Sequence, residues 1–123
     1  MPKFHRPFSG FAVDDTDKAK AFYSDVVGLT VNDEDGMLQI DLGDDHFVLV
    51  YPKGEAHVPA SFTVLNLPVD DVSSAVRELA GRGVEFARYD GMPQDEDGVM
   101  KGNGPDIAWF TDPAGNVISV IAA

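Results

Sequence analysis

Apolar positions along the chain change period twice, in the same order each time. Residues 11–31, "FAVDDTDKAKAFYSDVVGLTV", begin as an apolar strand that ends in Val13-Asp14-Asp15. Ala19, Phe22, Tyr23 and Val26 then fall on one helical stripe. Residues 67–86, "LPVDDVSSAVRELAGRGVEF", repeat the figure: Val69-Asp70-Asp71 ends a strand, and Val72, Val76 and Leu79 follow at helical spacing. Ala75 matches Ala19. Each helix has a mechanism for its start, because a carboxylate or hydroxyl can accept the first-turn amides. In the first copy that group is Asp15 or Thr16, and in the second Asp70 or Asp71. Gly28 and Gly83 supply the left-handed positions that end helices.

The remainder has period two or is uniformly apolar. "MLQIDL", residues 37–42, sets Leu38, Ile40 and Leu42 on one face against Met37, Gln39 and Asp41 on the other. "GDDH" turns the chain into "FVLVY", residues 47–51, to make a hairpin. Four more strands are predicted over 62–68, 84–89, 106–111 and 116–121. The order is β-α-β-β-β, twice, in modules 8–51 and 62–121, joined by "PKGEAHVPA" with its two prolines. Residues 90–105, "DGMPQDEDGVMKGNGP", have few apolar anchors and read either as a solvated loop or as a lid over a pocket.

Composition narrows the function classes. A chain of 123 residues is one domain with room for one sizeable core. It contains no cysteine, which removes disulfides, thiolate zinc sites and cysteine nucleophiles. The net charge of −12 argues against nucleic acid, whose affinity comes from cationic contacts to phosphate. No apolar run approaches the roughly 18 residues of a membrane helix. The start, "MPKFHRPF", is no signal peptide, so the expectation is a cytoplasmic protein without membrane partners.

Candidate chemistry is sparse. His5, His46 and His57 fit no zinc spacing. "DEDG" at 33–36 and 95–98 imitates the front of a calcium loop, but the twelfth position, which should be a bidentate glutamate, is Leu42 or Gly104. Both are better read as acidic turns. One polar residue stands out: Ser119, in the otherwise apolar last strand that follows the turn Asp112-Pro113-Ala114-Gly115-Asn116. Asn66 is a second polar side chain within a strand, placed to bond a ligand or to brace a loop. Of Trp109 and Phe110, one must face inward, and alternation alone does not choose.

The doubled unit resembles the vicinal oxygen chelate superfamily, also called the glyoxalase, bleomycin-resistance and extradiol dioxygenase superfamily. The resemblance rests on "VDDTDKAKAFYSDVVGL" and "FTDPAGNVISVI" and covers residues 8–121. It implies an α+β fold in which two βαβββ modules form an eight-stranded cup around a ligand or a metal. It also implies where catalytic members place metal ligands. The first, often histidine, stands seven residues before the capping aspartate, at Phe8; its counterpart in the second copy is Val64. The last, often glutamate, follows the Asp-Pro-x-Gly-Asn turn by three residues, at Ser119. The remaining ligand falls at Leu49 or Tyr51. This set cannot assemble a nitrogen-and-oxygen metal site, so no metal and no cofactor are expected. The implied reading is a metal-free binding protein for a small organic molecule, acting as a homodimer, with Phe8, Leu49, Tyr51, Val64, Asn66, Trp109 and Ser119 at the ligand. The alternative is a glyoxalase-like lyase, isomerase or dioxygenase with a non-standard metal site or none. An interaction module acting by its surface has no specific support.

Overall fold

In the computed structural model, which describes all 123 residues, both helices start where a carboxylate caps them. Asp15 accepts from the amides of Asp17 (2.9 Å) and Lys18 (3.3 Å), and α1 (Thr16–Ala21) follows. Asp71 accepts from the Ser74 amide at 3.0 Å, and α2 (Val72–Gly81) follows. Each cap satisfies first-turn donors that have no partner inside the helix. The first helix continues as a π-helical turn, Phe22–Val27, and ends at Gly28 with φ 90°. The predicted stripe is therefore carried on two kinds of helix. Ala19 and Tyr23 are its buried members, and the Tyr23 ring sits edge-on to Phe11 (6.1 Å) and Phe22 (5.3 Å).

The chain divides into two units, Met1–Val58 and Pro59–Ala123. The N-terminal unit holds β1 (Ser9–Val13), β2 (Val31–Glu34), β3 (Met37–Gly43) and β4 (His46–Pro52), in the order β1-β4-β3-β2. β1 runs parallel to β4, and the other pairs are antiparallel. Both hairpins turn through residues with positive φ, Asp35-Gly36 (50°, 82°) and Asp44-Asp45 (52°, 62°). Two-residue loops need that twist to match the twist of the strands. The first "DEDG" is thus the end of β2 and the two-residue hairpin turn that follows it. Phe11, Val13, Leu38, Ile40, Val48 and Val50 form the buried face, toward α1. Leu42 was expected on this face but is 48% exposed, because the β3–β4 register shifts between Asp41 and Gly43.

The C-terminal unit holds β5 (Thr63–Val69), β6 (Ile107–Thr111) and β7 (Val117–Ala122), in the order β5-β7-β6. β5 is parallel to β7, as β1 is to β4. Leu65, Ala108, Phe110, Ile118 and Val120 are buried, and α2 packs on β6 and β7 with Val72, Val76 and Leu79. The predicted strand over 84–89 shrinks to a single bridge, Phe86 to Phe110, and one bond from the Ala87 amide to the Trp109 carbonyl at 2.7 Å. The two sheets therefore hold seven strands, four and three, where eight were expected. The predicted β-α-β-β-β order is complete in the N-terminal unit, and in the C-terminal unit it loses its second strand. No helix is long and apolar enough to cross a membrane.

The β6–β7 turn is fastened by its own side chains. Asp112 accepts from the amides of Ala114 (3.0 Å) and Asn116 (2.9 Å) and from the Asn116 side chain (3.2 Å). Asp112 and Asn116 are both buried, and the Asn116 side chain also accepts from the Ala60 amide at 3.2 Å. Gly115, at φ 85°, lies where a Cβ would come within 3.0 Å of Pro59.

Candidate functional site

In each unit the helix covers one face of the sheet and leaves the other without a helix of its own. Sheet pairing decides which residues share that second face, since paired neighbours point the same way. In the N-terminal unit, Gly10 pairs with Leu49 and Ala12 with Tyr51. Leu49, between the buried Val48 and Val50, is half-buried, and Tyr51 is 38% exposed. Gly10 matters for its lack of a side chain: a Cβ would stand 3.1 Å from the Leu49 carbonyl and 3.7 Å from the Tyr51 ring. Phe8 is exposed just before β1, and its ring stacks on Phe47 with centroids 4.7 Å apart. Phe8, Leu49 and Tyr51 are thus placed as an apolar and aromatic group on this unit.

The C-terminal unit brings together Asn66, Ser119 and Trp109. Ser119 lies on the central strand and pairs with Asn66 on one side and Trp109 on the other. Sequence parity left Trp109 and Phe110 open; the pairing settles it. Phe110 pairs with Ile118 and is wholly buried, whereas Trp109 shares the second face with Ser119. Val64 does not follow the alternation that was to join it to Asn66. The register shifts between Thr63 and Leu65, which pair with the consecutive residues Val117 and Ile118, so Val64 is the extra residue of a bulge.

Ser119 is fully buried, and its hydroxyl donates to the Asn66 side-chain oxygen at 2.5 Å. A buried hydroxyl needs a partner, and here the partner is another of the singled-out residues. Beside this row, Trp109 meets Tyr89 edge-to-face at 5.5 Å. Ser61, Phe62, Thr63, Met92 and Val117 join those two rings around an open cavity of about 210 Å³. Phe62, Tyr89 and Met92 are all exposed on it, at 68%, 38% and 45%. Sequence reading passed over these three. Their only mark was position, next to the start of β5 and the glycine-rich segment.

That segment is better anchored than its composition suggests. Val99 is wholly buried. The Gln94 side chain donates to the carbonyls of Ala87 (3.0 Å) and Gly98 (2.9 Å) and accepts from the Tyr89 amide at 2.8 Å. Asp95 accepts from the amides of Asp97 (2.9 Å) and Val99 (3.0 Å). Burial would raise the Asp95 pKa, but the bonds from Val99 and Asp97, with the charge of Lys101 at 3.6 Å, together hold it below the usual carboxylate range. The Arg88 guanidinium donates to the carbonyls of Asp95 and Glu96. The second "DEDG" is therefore an acidic turn fastened from within.

The donor set does not suit a transition metal. Phe8, Leu49 and Val64 have no donor atom, Tyr51 offers a phenol, and the Ser119 hydroxyl is bonded to Asn66. Zinc, nickel and iron take imidazole, carboxylate or thiolate donors. No group of three or more His, Asp or Glu residues stands together so as to hold a metal ion.

Comparison with known proteins places this architecture. The model of the Glyoxalase/Bleomycin resistance protein/Dioxygenase superfamily matches residues 7–120. The chain belongs to that superfamily. Among solved structures, it is similar to TnmS3, an antibiotic binding protein from Streptomyces sp. CB03234, with 27% identity, a TM-score of 0.64, and 99% of this chain and 98% of that chain covered. A glyoxalase/bleomycin resistance protein from the same source has 28% identity and a TM-score of 0.61, covering 94% of this chain and 99% of that one. Lactoylglutathione lyase from Agrobacterium tumefaciens has 21% identity, a TM-score of 0.67, and coverage of 100% and 96%; at that identity the likeness is one of fold. A search of curated proteins finds no match.

Proposed function

We propose that this superfamily member is a metal-independent binding protein for a small organic molecule of the antibiotic kind, held on the helix-free face of the C-terminal unit. One observation carries the reading. Trp109, Tyr89, Phe62 and Met92 surround an open cavity beside the Asn66–Ser119 pair, so a polar group borders an aromatic wall. Small-molecule sites combine apolar and aromatic walls with a few placed polar groups. The likeness to an antibiotic binding protein supports the same reading. Val64 lies on β5, two residues before Asn66, and Phe8, Leu49 and Tyr51 give the N-terminal unit a comparable apolar face. The reading extends to a cytoplasmic homodimer.

The test is native mass spectrometry of freshly purified protein, with and without chelator. A co-purifying organic mass, unaffected by chelator, is the expected result. Near-stoichiometric metal, lost to chelator together with activity or stability, would replace this reading with a metalloenzyme.

A further inference from the structure

The Asn66–Ser119 bond has a consequence for what the face can recognise. A side-chain amide has an oxygen that accepts and a nitrogen that donates twice, and which end faces outward is set by its partners. The Ser119 hydroxyl, fully buried on the central strand of the sheet, donates to the Asn66 oxygen at 2.5 Å. That engages the acceptor end against the sheet and leaves the amide nitrogen as the outward end. Asn66 itself is exposed. Asn66 and Trp109 flank Ser119 on the two neighbouring strands, so they stand two strand spacings apart, about 10 Å. The residues around the cavity, Ser61, Phe62, Thr63, Tyr89, Met92, Trp109 and Val117, include no charged side chain, and the chain carries a net charge of −12, which disfavours an anionic ligand.

We infer that Asn66 is the specificity-determining donor of this face and Ser119 its positioning residue. Resting on the binding reading above, the inference narrows the ligand class. The ligand is an uncharged aromatic compound whose ring packs at Trp109 and whose hydrogen-bond acceptor, such as a carbonyl oxygen, reaches the Asn66 amide nitrogen. A compound offering only an N–H donor at that point is rejected, because it meets N–H with N–H.

The experiment uses two probes of similar shape, 2-acetylnaphthalene and 2-ethylnaphthalene, which differ by the carbonyl oxygen. Each is titrated into ¹⁵N-labelled protein, following the Trp109 indole N–H and the Asn66 side-chain NH₂ by NMR. The expected result is that both probes shift the Trp109 signal, while only the acetyl compound shifts the Asn66 NH₂ and binds about five-fold tighter, the share of one net hydrogen bond of about 1 kcal/mol. Asn66→Asp is nearly isosteric, keeps an acceptor for Ser119 and removes both amide donors; it abolishes the preference. Ser119→Ala reduces the preference, and Ser119→Thr, which retains the hydroxyl, restores it. Equal binding of the two probes with a shifted Trp109 signal, or a preference that survives Asn66→Asp, overturns the inference and leaves the binding reading standing. A Trp109 signal that neither probe moves overturns the binding reading, and the inference with it.

Discussion

The two units start from the same β-α-β-β-β sequence and end differently. In the N-terminal unit two tight hairpins complete a four-stranded sheet. In the C-terminal unit the strand after the helix is reduced to one bridge at Phe86, and the chain then runs through a bonded loop before β6. The physical cause lies in the turns. Asp35-Gly36 and Asp44-Asp45 reverse the chain at once, whereas residues 90–105 cannot do so in two residues and instead build a turn around Asp95. Giving up one strand brings Tyr89 and Met92 beside Trp109. A repeat therefore does not assign equal roles to its copies. The copy with the less regular sheet carries an open aromatic cavity.

The comparison predicts unequal sensitivity to mutation, greatest in the C-terminal unit. Asp112→Ala strands the amides of Ala114 and Asn116 and the Asn116 side chain, all buried with it. The expected loss is about 3 kcal/mol in urea unfolding. A loss near zero would mean that the turn does not hold β6 to β7. Val99→Ala removes the one fully buried apolar side chain of the 90–105 segment. It should cost about 1.5 kcal/mol and speed amide exchange across 94–100, with the N-terminal unit unchanged.

A smaller effect is expected with acid. The Asp95 pKa is lowered in the fold, so its contribution is present in full above the unfolded value, near 3.9, and is lost as pH falls through the folded value. Asp95→Asn should flatten the pH dependence of amide exchange at Asp97 and Val99 in that range; an unchanged profile would assign the dependence to another acid. The smallest effect has the opposite sign and belongs to the N-terminal unit. Asp45→Gly, at φ 62°, should stabilise by about 0.5 kcal/mol, since glycine adopts that conformation without strain. Destabilisation would show that the turn relies on the aspartate side chain.

Elements that depend on local chemistry were legible in the sequence. The helix starts, at Asp15 or Thr16 and at Asp70 or Asp71, the Gly28 stop, the hairpins and the Asp112–Asn116 turn each need only neighbours in the chain, and the structure chooses Asp15 and Asp71 as the caps. Features that depend on pairing were not. Val64 reads as one more alternating residue until its register with β7 is known, and Leu42 reads as core until the bulge at Asp41 is seen. Trp109 and Phe110 could be told apart only by their partners, Ser119 and Ile118. The loop anchor Val99 has no periodic context to mark it. Ser119 and Asn66 were each noticed, but the bond between them joins residues 53 apart in sequence.

Trp109 is the only tryptophan in the chain, so its emission reports on the proposed face alone. The most direct measurement is a fluorescence titration of the intact protein with a panel of aromatic antibiotics, with a Trp109→Phe variant as the blank. Saturable quenching or a spectral shift with at least one uncharged compound, absent from the blank and unchanged by chelator, is the predicted result. Binding detected by calorimetry that leaves Trp109 emission unchanged would place the ligand elsewhere and contradict the account.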